Sequence, residues 1–231
     1  MTKALVPTMG ALHAGHLALV DRAHELADEV VVSIFVNPTQ FGANEDFDRY
    51  PRTLHADREL LAGRAEVFAP TVEDVYPPDN STPVISAGPM GETWEGASRP
   101  GHFDGVLTVV NRLFELVQPD VAVFGEKDWQ QLALIRAMAA QRHPDIRIVG
   151  VPTVRDDDGL ALSSRNRYLS PAERETAAFI PTALRDIAAS GGTDESLVRA
   201  AAKLDQAGIV LDYLDVVEPV TLEPVRGSGP A

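Results

Sequence analysis

"KALVPTMGALHAGHLALVDRAHELA", residues 3–27, is the stretch that decides the fold. It opens on a short apolar run that Pro7 punctuates, and it closes with apolar residues at Leu17, Val20, Ala23 and Leu26 or Ala27, the spacing of one helical face. Between them lies a turn holding Gly10, His13, Gly15 and His16. A strand that becomes a helix through such a turn aims backbone N–H groups and the positive end of the helix dipole at an anion. Gly10 and Gly15 carry no Cβ and permit close approach of main chain and ligand. Two imidazoles there suit donation to phosphate oxygens, more strongly as charge grows in a transition state. Two other readings stay open: surface histidines at a helix start, or an i, i+3 pair sharing a metal. The metal reading is the weaker, because no acidic third ligand is obvious nearby and the chain has no cysteine.

The alternation continues outward. "EVVVSIFVN" (29–37) is a β-branched run suited to a strand buried on both faces. Residues 47–65 read as loop then helix, "EVFAP" (66–70) as strand, 103–118 as helix, "PDVAVFGEKD" (119–128) as strand and loop, 129–143 as helix and "IRIVGVPTVRD" (146–156) as strand. Strands alternating with helices predict a parallel sheet with right-handed crossovers, a doubly wound α/β domain whose ligands lie at the C-terminal strand ends. Beyond "VRDDDGLALSSRNRYLS" the character changes: 171–208 read as two Ala-rich helices separated by "SGGTD", with Thr193 or Asp194 as cap of the second. "VLDYLDVVEP" (210–219) reads as a further strand, and the Gly- and Pro-rich tail "EPVRGSGPA" shows no folded-looking end. These features predict a Rossmann-like domain over 1–155 and a smaller α+β domain over 156–231.

Composition excludes several classes. With 34 acidic against 20 basic residues the net charge is −14, and no basic stripe is present, so nucleic acid is not expected as a partner. No apolar run reaches the roughly 18 residues of a membrane span, and the N-terminus lacks signal-peptide character, which makes the expected location cytoplasmic. The absence of cysteine removes thiolate nucleophiles and thiolate zinc sites.

Four further stretches carry polar groups of interest. "FVNPTQF" (35–41) ends the second strand with Asn37 and Gln40, neutral amides suited to hydroxyls or a carboxylate, although Asn-Pro also starts turns unaided. "FGEKDWQQ" (124–131) ends another strand with Lys127, one of three lysines in the chain, flanked by Glu126 and Asp128. A solvated charge cluster is the bland reading; its place after Gly125 suits a point charge for phosphate, with Gln131 one helical turn further on. "LALSSRNRYLS" (160–170) groups Ser163, Ser164, Arg165 and Arg167, which suit a polyphosphate clamp or a polar loop capping the next helix, the latter fitting Ser170-Pro171, and Asp156 to Asp158 read as a solvated turn rather than a metal site. "RPGHFDG" (99–105), with Arg99 and His102, reads as a loop leading into a core helix.

In order and spacing, "PTMGALHAGH", "FVNPTQF", "RPGHFDGVLTVV", "FGEKDWQQ" and "LSSRNRYLS" closely resemble the pantothenate synthetase (pantoate–β-alanine ligase) family, over about residues 4–217. His-x-Gly-His alone marks a wider nucleotidyl-transferase superfamily. The resemblance implies a two-step reaction: pantoate and ATP give pantoyl adenylate and pyrophosphate, and β-alanine then displaces AMP to form pantothenate. It implies that His13, His16, Lys127, Ser163, Ser164 and Arg165 serve catalysis on the phosphates. It assigns Met9, Gly15, Gly125 and Asp128 to ATP, and Gln40, Gln131 and Asn37 to pantoate. Mg²⁺ is implied with ATP, its protein ligands unassigned, and a homodimer is implied as the assembly. Leu162 stands where the family generally has methionine. The family usually has a further strand–helix segment before the first motif and more sheet after the last, so the resemblance implies an incomplete C-terminal lid domain. Two alternatives stay open, another His-x-Gly-His nucleotidyl transferase and a nucleotide-binding protein without turnover.

Overall fold

The computed structural model describes residues 1–79 and 81–225. Its centre is a five-stranded sheet, every pair parallel, in the order β3-β2-β1-β4-β5. The strands are β1 (Lys3–Thr8), β2 (Glu29–Ile34), β3 (Glu66–Phe68), β4 (Val121–Gly125) and β5 (Arg147–Val151). The chain runs outward from β1 to β3, then returns to lay β4 on the other side of β1, so the topological switch point falls between β1 and β4.

Burial on both faces explains the apolar runs. Along β1, Ala4 and Val6 face one layer and Leu5 the other, and along β4, Val121 and Val123 oppose Ala122 and Phe124. Helix α1 (Ala14–His24) covers the first face through Leu19, Val20 and Ala23, beside Leu61 at the end of α2 (Leu54–Leu60). The second face is covered after two single-turn helices, α3 (Val72–Val75) and α4 (Glu95–Ser98). There α5 (His102–Val117) and α6 (Trp129–Arg142) pack through Val106, Val110, Phe114, Leu132 and Ile135. Helix α5 buries most of its circumference, His102, Thr108 and Asn111 included, so it is an interior element and not a surface one.

The chain falls into two compact units, residues 1–153 and 154–231. The second has its own small core, in which Ala183 and Ile187 of α8 (Phe179–Ala189) meet Leu197, Ala200 and Leu204 of α9 (Asp194–Gln206). Thr193 caps α9 by accepting from Ser196 N, and Ser170 caps α7 (Pro171–Ala177) in a reciprocal box with Glu173. The two helices expected over 171–208 are three: Pro181 has no N–H to donate to the carbonyl of Ala177, and the ladder breaks at Ala178. The strand expected over 210–219 is not one. Among the described residues it finds no neighbouring strand to pair with, and the segment makes only a single bridge, Val217 to Pro224, around a turn with Leu222 at φ 58°. The tail after residue 225 lies outside the described residues.

Candidate active site

The turn after β1 is built by its two histidines. His13 is the N-cap of α1, with extended backbone, and its Nδ1 accepts from Gly15 N at 3.1 Å. In return His16 Nδ1 accepts from His13 N at 3.2 Å, closing a capping box made of two imidazoles. Because each Nδ1 accepts, each ring carries its proton on Nε2, and the pair is two N–H donors rather than two bases. The rings stand 4.1 Å apart between centroids. Burial, then His13, then the Lys127 ammonium push His16 down to about 3, against the opposing pull of Asp128. It is therefore neutral throughout the working range. The same influences show that Lys127 and Asp128, at the end of β4, stand beside the turn that ends β1. Lys127 Nζ also pairs with Asp128 Oδ1 at 3.0 Å, both half-exposed.

The loop before the cap is held from outside. Gly10 lies at φ 83° and the buried Ala11 at φ 50°. The Asp57 carboxylate of α2 accepts from Ala11 N at 3.0 Å and Leu12 N at 2.8 Å, and from Thr53 Oγ at 3.2 Å. A Cβ on Gly10 would sit 3.0 Å from Asp57 Oδ2. In the sequence Asp57 is one charge among several on a helix; only its burial, 3% exposed, separates it from the solvated ones.

The turn after β2 is a 3-10 turn, Pro38–Gln40, capped by Asn37, whose Oδ1 accepts from Thr39 N. Asn37 is 1% exposed, and its amide nitrogen donates to Gly105 O at 3.1 Å and Gln40 Oε1 at 3.2 Å. Gln40 Nε2 in turn meets Met9 Sδ at 3.2 Å. Asn37 thus acts on Gln40 and on α5. Gly105 permits this contact, since a Cβ there would fall 2.4 Å from Thr39 O.

"RPGHFDG" is more than the expected loop. Arg99 donates to Gln40 O at 3.3 Å and pairs with Glu45 and Glu95, while His102 Nδ1 lies 2.8 Å from the same carbonyl. Burial holds His102 below its ordinary pKa. Gln130, the neighbour of Gln131, donates to Met90 O at 2.8 Å and Thr93 O at 2.9 Å and accepts from Glu95 N, which fastens residues 90–95 to the start of α6. No local pattern marks these roles; apart from the Arg99–Glu95 pair, the contacts span 35 residues or more.

Gln131 lies in the first turn of α6, and Gly125 caps the short turn Glu126–Asp128. Ser163, Ser164 and Arg165 belong to the second unit: Ser163 caps a 3-10 turn over Ser164–Tyr168 by accepting from Arg165 N at 3.2 Å. Asp156 and Asp158 both pair with Arg174. Among the described residues no group of three His, Cys, Asp or Glu is placed to hold a metal, and no helix is long and apolar enough to cross a membrane.

A parallel α/β sheet whose switch point brings a histidine-capped helix start beside a lysine has the layout of a nucleotide-handling α/β protein. Comparison with known proteins makes this specific. The profile of the family described as Pantoate-beta-alanine ligase matches residues 1–230, and the chain belongs to that family. It is 57% identical to the pantothenate synthetase of Rhizorhabdus wittichii, over 99% of this chain and 83% of that one. To the pantothenate synthetase of Acidothermus cellulolyticus it is 54% identical, over 98% and 78%. Among solved structures, pantothenate synthetase from Thermus thermophilus superposes with a TM-score of 0.91 at 50% identity, covering 99% of this chain and 86% of that one. Pantoate-beta-alanine ligase from Francisella tularensis, complexed with beta-gamma ATP and beta-alanine, gives 0.85 at 38% identity, covering 94% and 82%.

Proposed function

We propose that residues of the two crevice turns and of β4 perform the ATP-dependent joining of pantoate to β-alanine, the reaction of the family to which the chain belongs. The observation that carries the assignment is the histidine pair whose Nδ1 atoms cap the helix start, with His16 held neutral beside Lys127. In the first step a pantoate carboxylate oxygen bonds to the α-phosphorus of ATP and the bond to the pyrophosphate oxygen breaks. Charge then grows on the phosphate oxygens, where two imidazole N–H groups, the α1 dipole and the Lys127 ammonium all act as donors. His16 neither takes nor gives a proton. In the second step the amine of β-alanine bonds to the acyl carbon, AMP leaves, and the amine proton passes to solvent or to the departing phosphate.

Gln40 and Gln131 hold pantoate in this scheme, and Asn37 supports Gln40 from behind. Met9, Gly15, Gly125 and Asp128 border ATP. Ser163, Ser164 and Arg165 of the second unit are phosphate ligands on the strength of the family motif. Mg²⁺ arriving with ATP would add positive charge at the phosphates, with no protein ligands assigned to it among the described residues, and the assembly is a homodimer in keeping with the family.

The test is isotope exchange between ATP and pyrophosphate, with pantoate present and β-alanine absent. Exchange that depends on pantoate is expected. No exchange from protein that still binds ATP would remove the assignment.

A further inference from the structure

The amide groups behind the pantoate site form a chain in which every donor and acceptor is fixed by a neighbour that can play only one part. Thr39 N can only donate, so the Asn37 atom 3.3 Å from it is the oxygen. Gly105 O can only accept, so the Asn37 atom 3.1 Å from it is the nitrogen. These two backbone groups settle the sense of the Asn37 amide without appeal to any side chain. Its second N–H then points at Gln40, whose facing atom at 3.2 Å is accordingly Oε1. That leaves Gln40 Nε2 on the far side, next to Met9 Sδ at 3.2 Å, a weak acceptor that engages one N–H only.

Tyr76 closes the chain at its other end. Its hydroxyl donates to Asn37 Oδ1 at 2.7 Å, the shortest bond of the set, and lies 3.0 Å from Thr39 Oγ. Burial raises the phenol above its ordinary pKa, which keeps the proton in place. Tyr76 ends α3 and is 39 residues from Asn37, so the contact is a product of the fold.

We infer that Tyr76 and Asn37 are positioning residues that lock Gln40 as a hydrogen-bond donor toward the substrate, so that this glutamine reads an acceptor oxygen of the acid and not a donor group. The inference rests on the assignment of Gln40 to pantoate. Its physical content is that an unlocked glutamine amide spends part of its time reversed, turning a carbonyl oxygen toward an anionic substrate. Each buried bond that prevents the reversal then acts on pantoate affinity and not on ATP.

The experiment compares Tyr76→Phe, Asn37→Asp and Gln40→Ala by steady-state kinetics with pantoate and ATP varied in turn. Side-chain amide resonances of Gln40, assigned by their loss in Gln40→Ala, are recorded on substrate-free protein. Asn37→Asp, which keeps size but removes both N–H groups, is expected to raise KM for pantoate about tenfold or more, and Tyr76→Phe about threefold, from the loss of one buried bond. In both, KM for ATP stays within about twofold under the same argument, and the Gln40 NH₂ pair moves. Equal changes in the two KM values, or an NH₂ pair unmoved in both variants, would overturn the lock. A Gln40→Ala protein with normal KM for pantoate would overturn the underlying assignment instead, and the lock's link to pantoate with it. Tyr76→Phe removes a single oxygen, so a folded protein remains to be measured.

Discussion

The two turns that face the crevice are supported in opposite ways. The turn after β1 is closed by His13 and His16, three residues apart, each capping the backbone of the other's neighbourhood. The turn after β2 has no such economy: Gln40 is set by Asn37, Asn37 by Tyr76 and Gly105, and the Gln40 carbonyl by Arg99 and His102. In the first, groups suited to chemistry and groups that hold the backbone are the same. In the second they are separated, and Gln40, the residue proposed to meet pantoate, is posed by other side chains. A turn of the first kind rests on one distant residue, Asp57, and a turn of the second kind is exposed to change at four, Tyr76, Arg99, His102 and Gly105.

The largest effect expected tests whether the first turn's two roles can be parted. His13→Asn keeps a good N-cap oxygen but has no ring N–H to offer phosphate. Adenylation is expected to fall about 10²–10³-fold, as for loss of one transition-state donor, while stability to urea changes by less than about 1 kcal/mol. Equal losses of both would mean that the histidine is mainly a cap. Lys127→Ala, which alters no cap, is expected to lose activity on the same scale, about 10²–10³-fold.

The next test attacks the comparison itself, because Asp57 gives the first turn one long-range support. Asp57→Ala leaves Ala11 N and Leu12 N without the carboxylate, and charge-assisted bonds of this kind make a cost of about 2–4 kcal/mol the expected result in chemical denaturation. A loss below about 1 kcal/mol would show that the histidine box holds the turn alone. On the other side, Gly105→Ala drives a methyl into Thr39 O and displaces the 3-10 turn. About 1–3 kcal/mol of stability is expected to go, with KM for pantoate rising more than KM for ATP.

The contrast also explains what could be read from the sequence. The alternation of strands and helices along the chain and the histidine turn follow from local signals: β-branched runs, helical spacing and glycine beside histidine; the switch point between β1 and β4 is set by strand pairing, which no local signal carries. The capping of Thr193 and Ser170 was equally local. Asp57, Tyr76, Arg99, His102 and Gln130 were illegible in their roles because their partners lie far away in the chain, and a buried aspartate looks like any other until the fold is known. The missing strand over 210–219 fails for the same reason: apolar alternation proposes a strand, but only a neighbour makes one.

A pH dependence separates the roles of His16 most cleanly. The unfolded chain titrates His16 at the ordinary 6.5, whereas the folded protein holds it neutral down to about 3. Between those values the unfolded state binds the extra proton, so His16 costs the native protein stability as pH falls below 6.5. The penalty approaches about 1.4 kcal/mol per pH unit and is absent above neutrality. His16→Gln keeps a side-chain acceptor for the box and does not titrate. Urea denaturation of both proteins from pH 7.5 to 4.5 should show the wild type losing ground to the variant below 6.5, with parallel curves above it. Parallel curves throughout would mean that His16 is protonated in the folded state as readily as in the unfolded one. A donor that is neutral at every working pH also leaves no inflection of its own in the rate of adenylation. The pH profile of the wild type between 5 and 8 should then follow the substrates and other groups of the protein, and a step in that range removed by His16→Gln would turn this histidine from a fixed donor into an acid or base.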